Sequence, residues 1–315
     1  VRPGILITGG AGFIGSHAAR RFLRDGWRVG ILDNFDDFYS PAAKRQNILG
    51  LPVELFTADI RDRAAVDAAV AQGWDAVLHL AAKAGVRPSI NDPHTYLGVN
   101  VTGTLNVLEA ARKARVRKLI FASSSSVYGS SNQPPFREDM AIPSTLSPYA
   151  ATKVAGEHLC SNYANLHGIQ CVCLRFFTVY GPGQRPDLAI RKFATAILEG
   201  RPITVYGDGT SKRDYTFVDD TVEGIRAAAD FTGAPFSIFN LGSGRTTTLN
   251  ELVSMIEDVT ERRAVIERRP AQPGDMTETW ADISAATERL GYQPCTGLRE
   301  GLQQTVDWLT APDIA

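Results

Sequence analysis

GILITGGAGFIG, residues 4–15, passes from a short apolar run into a turn with glycines at 9, 12 and 15, and Phe13 opens a segment of helical period. A run of this length and composition reads as a buried strand. Strand, glycine turn and helix in that order let a backbone come close to a diphosphate, whose charge then faces the positive end of the helix. Read from Gly10, the same residues also satisfy G-x-G-x-x-G. Gly9, Gly12, Phe13, Ile14 and Gly15 are therefore candidate contacts to a dinucleotide.

Further apolar runs follow: RVGIL (28–32), VELFT (53–57), DAVLHL (75–80), KLIFA (118–122) and IQCVCL (169–174), with helix-period segments between most of them. Strand and helix alternating at this spacing predict an α/β fold, a parallel, doubly wound sheet with helices on both faces. After about residue 180 the alternation loosens, although PFSIFNLG (235–242) is expected to return to the main sheet. The predicted division is a nucleotide-binding Rossmann domain over 1–180 and a smaller α/β substrate-binding domain over 181–315.

The 315 residues suffice for a substantial core, and 44% hydrophobic with 21% charged residues is ordinary for a globular chain. A net charge of −1 gives no general attraction to nucleic acid or to an anionic membrane. No apolar run approaches the roughly 20 residues that span a bilayer. VRPGILITGG reads as leading straight into a strand without a signal peptide, and the expected location is cytoplasmic. Cys171 and Cys173 share one face of a strand, but no second Cys or His pair completes a metal site, so they read as buried thiols of a reducing compartment.

Asp33 closes the second strand, 18 residues after Gly15, where an acid accepts bonds from ribose hydroxyls and repels a 2′-phosphate. NAD is the expected cofactor. Lys44 and Arg45 follow closely and keep NADP open. Asp59 and Ile60 end the third strand and would flank the adenine, with a helix N-cap as the alternative for Asp59. In SPYAATKVAGEHL, Tyr149 and Lys153 lie at i and i+4 and share one face of a predicted helix. A phenol with a pKa of about 10 is a poor base at neutral pH. A nearby ammonium and a cationic nicotinamide are expected to lower it. ASSSSVYG (122–129) puts Ser124 at the carboxyl end of its strand, 25 residues before Tyr149. A hydroxyl there can hold the substrate oxygen whose proton Tyr149 removes.

TGGAGFIG, ASSSSVYG and YAATK together resemble the extended short-chain dehydrogenase/reductase superfamily, specifically its nucleotide-sugar epimerases, over essentially the whole chain. The resemblance implies a catalytic triad of Ser124, Tyr149 and Lys153, with Lys153 also holding the nicotinamide ribose. It extends the cofactor contacts to Asn34, Leu80, Ala81, Ala82 and Lys83, where a solvent-exposed lysine is the alternative for Lys83. In LRFFTVYGPGQRPDLAI (174–190) the form looks most like the UDP-glucuronate 4-epimerases, with Thr178 where relatives commonly carry Asn. Arg185 offers a fixed fork for a carboxylate or phosphate, and an ordinary loop salt bridge is its alternative. By the same resemblance Arg87, Val205 and Tyr206 face the substrate, with Tyr206 near the uracil. Arg213 would bind the diphosphate, Arg191 is a further phosphate candidate, and Asp275 would bond the uridine ribose.

Oxidising C4 of a UDP-uronic acid gives a β-keto acid, which is prone to lose carbon dioxide. Decarboxylases of this superfamily typically carry Glu just before VYG, and 4,6-dehydratases an Asp-Glu pair; this chain has Ser125 and Ser126. Hydroxyls can bind a carboxylate without repelling it and supply no strong base at C5. The expected reaction is NAD-dependent 4-epimerisation of UDP-glucuronate and UDP-galacturonate. A UDP-glucose/UDP-galactose 4-epimerase is the alternative, followed by a decarboxylase. A non-catalytic NAD-binding regulator would be expected to have lost Tyr149 or Lys153. A homodimer is expected through the helices holding residues 95–113 and 149–166.

Overall fold

The computed structural model describes residues 2–130, 132–270 and 276–311. From the N-terminus the elements are β1 (Gly4–Thr8), α1 (Phe13–Arg24), β2 (Arg28–Asp33), α2 (Pro41–Ile48), β3 (Glu54–Thr57), α3 (Arg63–Val70) and β4 (Ala76–His79). Then come α4 (Val86–Asn91), α5 (Pro93–Leu97), a π-helical turn (Gly98–Gly103), α6 (Thr104–Lys113), β5 (Lys118–Ser124), a 3₁₀ turn (Ser125–Tyr128), α7 (Pro148–His167) and β6 (Gln170–Phe176). The later elements are β7 (Thr178–Tyr180), α8 (Ala189–Leu198), β8 (Ile203–Tyr206), β9 (Lys212–Arg213), β10 (Tyr215–Phe217), α9 (Val218–Asp230) and β11 (Phe236–Leu241). β12 (Thr247–Thr248), α10 (Leu249–Thr260), β13 (Ile266–Arg269), β14 (Glu278–Thr279), α11 (Ser284–Leu290) and α12 (Leu298–Thr310) complete the chain.

Seven strands form one sheet in the order β11-β6-β5-β4-β1-β2-β3, and every neighbouring pair is parallel. The order reverses between β1 and β4, so loops leaving those two strands part to opposite sides and open a crevice at their carboxyl ends. β1 shows why the apolar runs are continuous rather than alternating. Ile5 and Ile7 join the core cluster that also takes Ala18 and Ala19 of α1 and Val222 of α9. Leu6 joins the opposite cluster with Val66 of α3, Val107 of α6 and Cys160 of α7. Both faces are covered, so every position of the strand is buried.

α7 begins where its sequence dictates: Ser147 accepts from the backbone N–H of Ala150, and Pro148 occupies the first turn, where its missing donor costs nothing. Gly168 ends it in the left-handed conformation. The later segments carry β8 with β13 and a three-stranded group of β12, β9 and β14, packed through α8, α10 and α12. Ile190, Leu252 and Leu302 of those helices belong to the same buried cluster as β1. Among the described residues, no helix is long and apolar enough to cross a membrane. Cys160, Cys171 and Cys173 are buried free thiols in the second core cluster, and Cys295 is free and exposed.

Candidate active site

A cavity of about 540 Å³ opens at the carboxyl ends of the sheet strands. Its lining brings together Gly9, Gly12, Phe13, Ile14, Gly15, Asp33, Asn34, Asp59, Ile60, Leu80, Ala81, Ala82 and Lys83 at one end. Ser124, Ser125, Ser126, Tyr149, Lys153, Thr178 and Arg185 line the other.

At the first end the backbone dominates. Gly9 has φ +71°, and a Cβ there would lie 2.8 Å from the amide nitrogen of Ala81. A Cβ on Gly15 would stand 2.4 Å from the carbonyl oxygen of Gly9, so the turn and α1 can meet this closely only through glycine. Asp33 is buried, and its carboxylate accepts from the N–H groups of Ala11 (3.0 Å) and Phe35 (2.8 Å). Burial raises its pKa while those two donors hold it down. Asp59 is not a helix cap: Asp62 caps α3, while Asp59 accepts from Asn34 at 3.0 Å and pairs with Arg61. Lys83 is not a free surface lysine either. Its ammonium bonds Asp36 at 2.7 Å, and Asn100 holds its peptide on both sides. Lys44 is buried and donates to the carbonyl of Asp36 at 2.6 Å, and Arg45 lies over the ring of Phe35.

The second end centres on α7. Lys153 donates to the carbonyl of Ala122 at 2.7 Å, with its ammonium 5.8 Å from the Tyr149 ring centre. Burial pulls Lys153 down to about 8, against a smaller opposing pull from Glu157. In the protein's own field, loss of water around the Tyr149 hydroxyl pushes it above the ordinary phenol value. A hydrogen bond with Ser124 and the charge of Arg185 pull it partly back. The protein alone therefore keeps this phenol protonated at neutral pH. Ser124 also accepts from the Ser126 N–H at 3.2 Å, which fixes its position at the end of β5.

Beneath the serines, Ser123 donates to Glu157 at 2.5 Å, and the two oxygens of Glu157 accept from Nε and Nη2, one edge of the buried Arg175, at 2.9 Å. That carboxylate is fully occupied and lies outside the cavity lining. Arg185 lines the cavity and also pairs side-on with Asp187, the loop salt bridge that the sequence offered as its alternative.

Several expected substrate contacts lie away from this lining. Arg87 sits over the ring of Tyr206 at 5.4 Å, joining α4 to β8, while Val205 is buried in β8. Arg213 is half-buried on β9 and donates to the carbonyl of Lys212. Arg191 donates to the Gln184 carbonyl at 2.5 Å and lies over Trp308, and its charge still acts on Tyr39 of the lining. Asp275 falls outside the described residues.

Other lining or supporting residues had no sequence signal. Asp36, Phe38 and Tyr39 belong to the loop between β2 and α2 and reach the cavity only through the tertiary fold. Tyr96 stands edge-on to Tyr149, with centres 6.3 Å apart, and donates to the Ala84 carbonyl. Asn100 lies in the π-helical turn and bonds Thr152 on α7 at 3.0 Å, tying the Lys83 loop to the helix of Tyr149. π-turns of this kind mark functional positions in many helices.

A doubly wound parallel sheet with a glycine turn at its switch point defines a dinucleotide-binding fold. The chain matches the NAD dependent epimerase/dehydratase family over residues 5–242 and belongs to that family. It is 39% identical over 309 residues to a UDP-glucuronate 4-epimerase of Thermodesulfobacterium geofontis, covering 96% of this chain and 95% of that one. Among solved structures, the UDP-glucuronic acid 4-epimerase of Bacillus cereus, in complex with UDP-glucuronic acid and NAD, superposes with a TM-score of 0.91 at 37% identity. The match covers 97% of this chain and 98% of that one. The UDP-glucose 4-epimerase of Thermus thermophilus, complexed with NAD, gives 0.90 at 35% identity over 98% and 99% of the two chains.

This chain's own residues fit the dinucleotide. The glycine turn packs so closely on β4's exit and on α1 that a Cβ at Gly9 or Gly15 would strike backbone. That closeness keeps the tight turn that a diphosphate needs. The Tyr39 hydroxyl is buried at the cavity without a hydrogen-bond partner among the described residues, 4.0 Å from where a Gly12 Cβ would stand. A buried donor left unpaired costs roughly 1–3 kcal/mol, and an anionic oxygen at the glycine turn would satisfy it.

Proposed function

We propose that the protein is an NAD-dependent 4-epimerase that interconverts UDP-glucuronate and UDP-galacturonate. The observation that carries this reading is the composition of the catalytic end of the cavity. From Ala122 onward its lining holds Tyr149, Lys153, four serines, Thr178 and Arg185, and no Asp or Glu. The acids of the lining, Asp33, Asp36 and Asp59, all stand at the glycine end.

Gly9, Gly12, Gly15, Asp33, Asp59 and Tyr39 would hold the cofactor. NAD, when bound, accepts the C4 hydrogen as hydride and returns it, and its oxidised ring adds the positive charge that makes the phenolate accessible. Ser124 holds the sugar 4-oxygen, and Tyr149 removes its proton as general base. Lys153, still largely charged at neutral pH with a pKa of about 8, stabilises the resulting phenolate. The 4-keto sugar then turns within the cavity and takes back the hydrogen on its other face. Meanwhile Ser125, Ser126, Thr178 and Arg185 bind the C5 carboxylate as an anion. Losing carbon dioxide would move that charge from the carboxylate to the enolate oxygen at C4, away from these partners, so binding the carboxylate as an anion opposes decarboxylation. Among the described residues, no carboxylate in this half of the lining stands ready to remove the C5 proton.

Arg87 and Arg213 serve the diphosphate in this reading, Tyr206 and Val205 the uracil, and Asp275 the uridine ribose. The division of labour places the cofactor on residues 1–180 with the returning strand, and the nucleotide sugar mainly on 181–315. Exposed Leu97, Leu105 and Leu166 on α5, α6 and α7 support a homodimer through those helices. Free thiols support a cytoplasmic location.

Incubation with UDP-glucuronate, followed by NMR, tests the proposal. UDP-galacturonate should accumulate without net NADH. UDP-xylose as product, or no turnover beside fast conversion of UDP-glucose, would overturn it.

A further inference from the structure

Arg185 is held by two neighbours in a definite way. One face of its guanidinium lies against Phe38, 5.1 Å from the ring centre. Its Nε and Nη2 donate to the two oxygens of Asp187 at 3.0 and 2.9 Å, a side-on bidentate pair. The Nη1 edge has no hydrogen-bond acceptor among the described residues, while the side chain lines the cavity and is only 17% exposed. The charge also reaches Tyr149, which it pulls toward the phenolate.

The local sequence builds this arrangement. Leu188 N–H donates to the Arg185 carbonyl at 3.2 Å, closing a turn with Pro186 and Asp187 at its centre. Proline presets the first central position of such a turn, so Asp187 returns toward Arg185 at little entropic cost. α8 starts at Ala189, directly after the turn, and anchors it. An arginine has five donors in a rigid plane. With one edge spent on Asp187 and one face on Phe38, the remaining edge is fixed in direction before any ligand arrives.

We infer that Asp187 is a positioning residue: it orients Arg185 so that the free edge of the guanidinium meets the substrate carboxylate, and thereby sets preference for a uronate over a neutral UDP-sugar. This rests on the proposed 4-epimerase reading. An ion pair at an exposed turn would ordinarily contribute little. Here its contribution lies in the geometry of its partner, so it should appear in substrate preference rather than in stability.

The test is steady-state kinetics of the holoenzyme with UDP-glucuronate and, separately, UDP-glucose. Wild-type turnover of UDP-glucuronate secures the underlying reading; its absence overturns that reading and this one together. With wild-type turnover in hand, Asp187→Ala should raise the KM for UDP-glucuronate about tenfold, the loss of one well-placed charged hydrogen bond. The KM for UDP-glucose and the melting temperature should stay unchanged. Asp187→Glu, which keeps the acceptor pair, should recover most of the uronate KM. An equal change for both sugars, no change for either, or a lower uronate KM in Asp187→Ala would overturn the role; the last would make Asp187 a competitor of the substrate carboxylate.

Discussion

At the glycine end of the cavity the recognising groups are largely main chain, fixed by β1, α1 and β4, and the close approaches there tolerate no side chain at Gly9 or Gly15. At the catalytic end they are side chains: Tyr149 and Lys153 from α7, the serines that finish β5, and Thr178 and Arg185 from the segment after β6. A backbone cradle recognises a ligand common to many enzymes. Side chains on turns can be exchanged without disturbing the sheet, and they decide which sugar is handled and what becomes of it. The contrast predicts that single side-chain changes cost more at the catalytic end than at the glycine end.

Tyr149→Phe should show the largest effect. It removes the acid–base oxygen and leaves the ring, so turnover should fall about 10²–10⁴-fold while bound cofactor, read by its absorbance after denaturation, stays stoichiometric. Appreciable activity in this variant would remove Tyr149 from its role.

Lys153 offers a test by pH. Its pKa in the folded protein is about 8 against 10.5 for the free side chain, so the unfolded chain binds more protons between those values. Stability from this group is therefore fully present above about 10.5 and is lost as pH falls through about 8. Relative to Lys153→Met, the wild type should gain about 3 kcal/mol of unfolding free energy across that window, measured by urea denaturation at each pH. A constant difference between the two proteins would mean that the buried amine is not strained.

Two smaller changes compare the ends directly. Arg185→Leu should raise the uronate KM about 10–100-fold, the range for losing a charged bidentate contact. Tyr39→Phe, at the glycine end, should weaken cofactor binding only about threefold to tenfold and leave the cofactor-free protein at least as stable, since its hydroxyl has no partner to lose. Calorimetric titration of each variant gives the comparison. A larger loss in Tyr39→Phe than in Arg185→Leu would reverse it.

The same contrast explains what could be read from sequence. β1 to β6 and β11 fall where the apolar runs stand: strands buried on both faces, as β1 and β4 are, need unbroken apolar sequence, while β3 is a largely exposed edge strand. The glycine turn and the Ser124–Tyr149–Lys153 set were legible because backbone closeness and helical spacing leave marks in sequence. Tyr39, Asp36 and Asn100 left none: they reach the cavity through a loop crossing and a π-turn, and neither has a periodicity. The burial that raises Tyr149 left no mark either: its helical spacing to Lys153 is legible in sequence, and the loss of water around its hydroxyl is not. Sequence marked Arg191 only as a phosphate candidate, and its bond to Gln184 comes from the fold.

The central claim is that a 4-keto uronate forms in a cavity whose catalytic end holds its carboxylate and has no base for C5. Turnover of UDP-glucuronate in deuterium oxide, followed by proton NMR, tests it most directly. The account predicts UDP-galacturonate that retains protium at both C4 and C5. Deuterium at C5, or release of UDP-xylose, would contradict it.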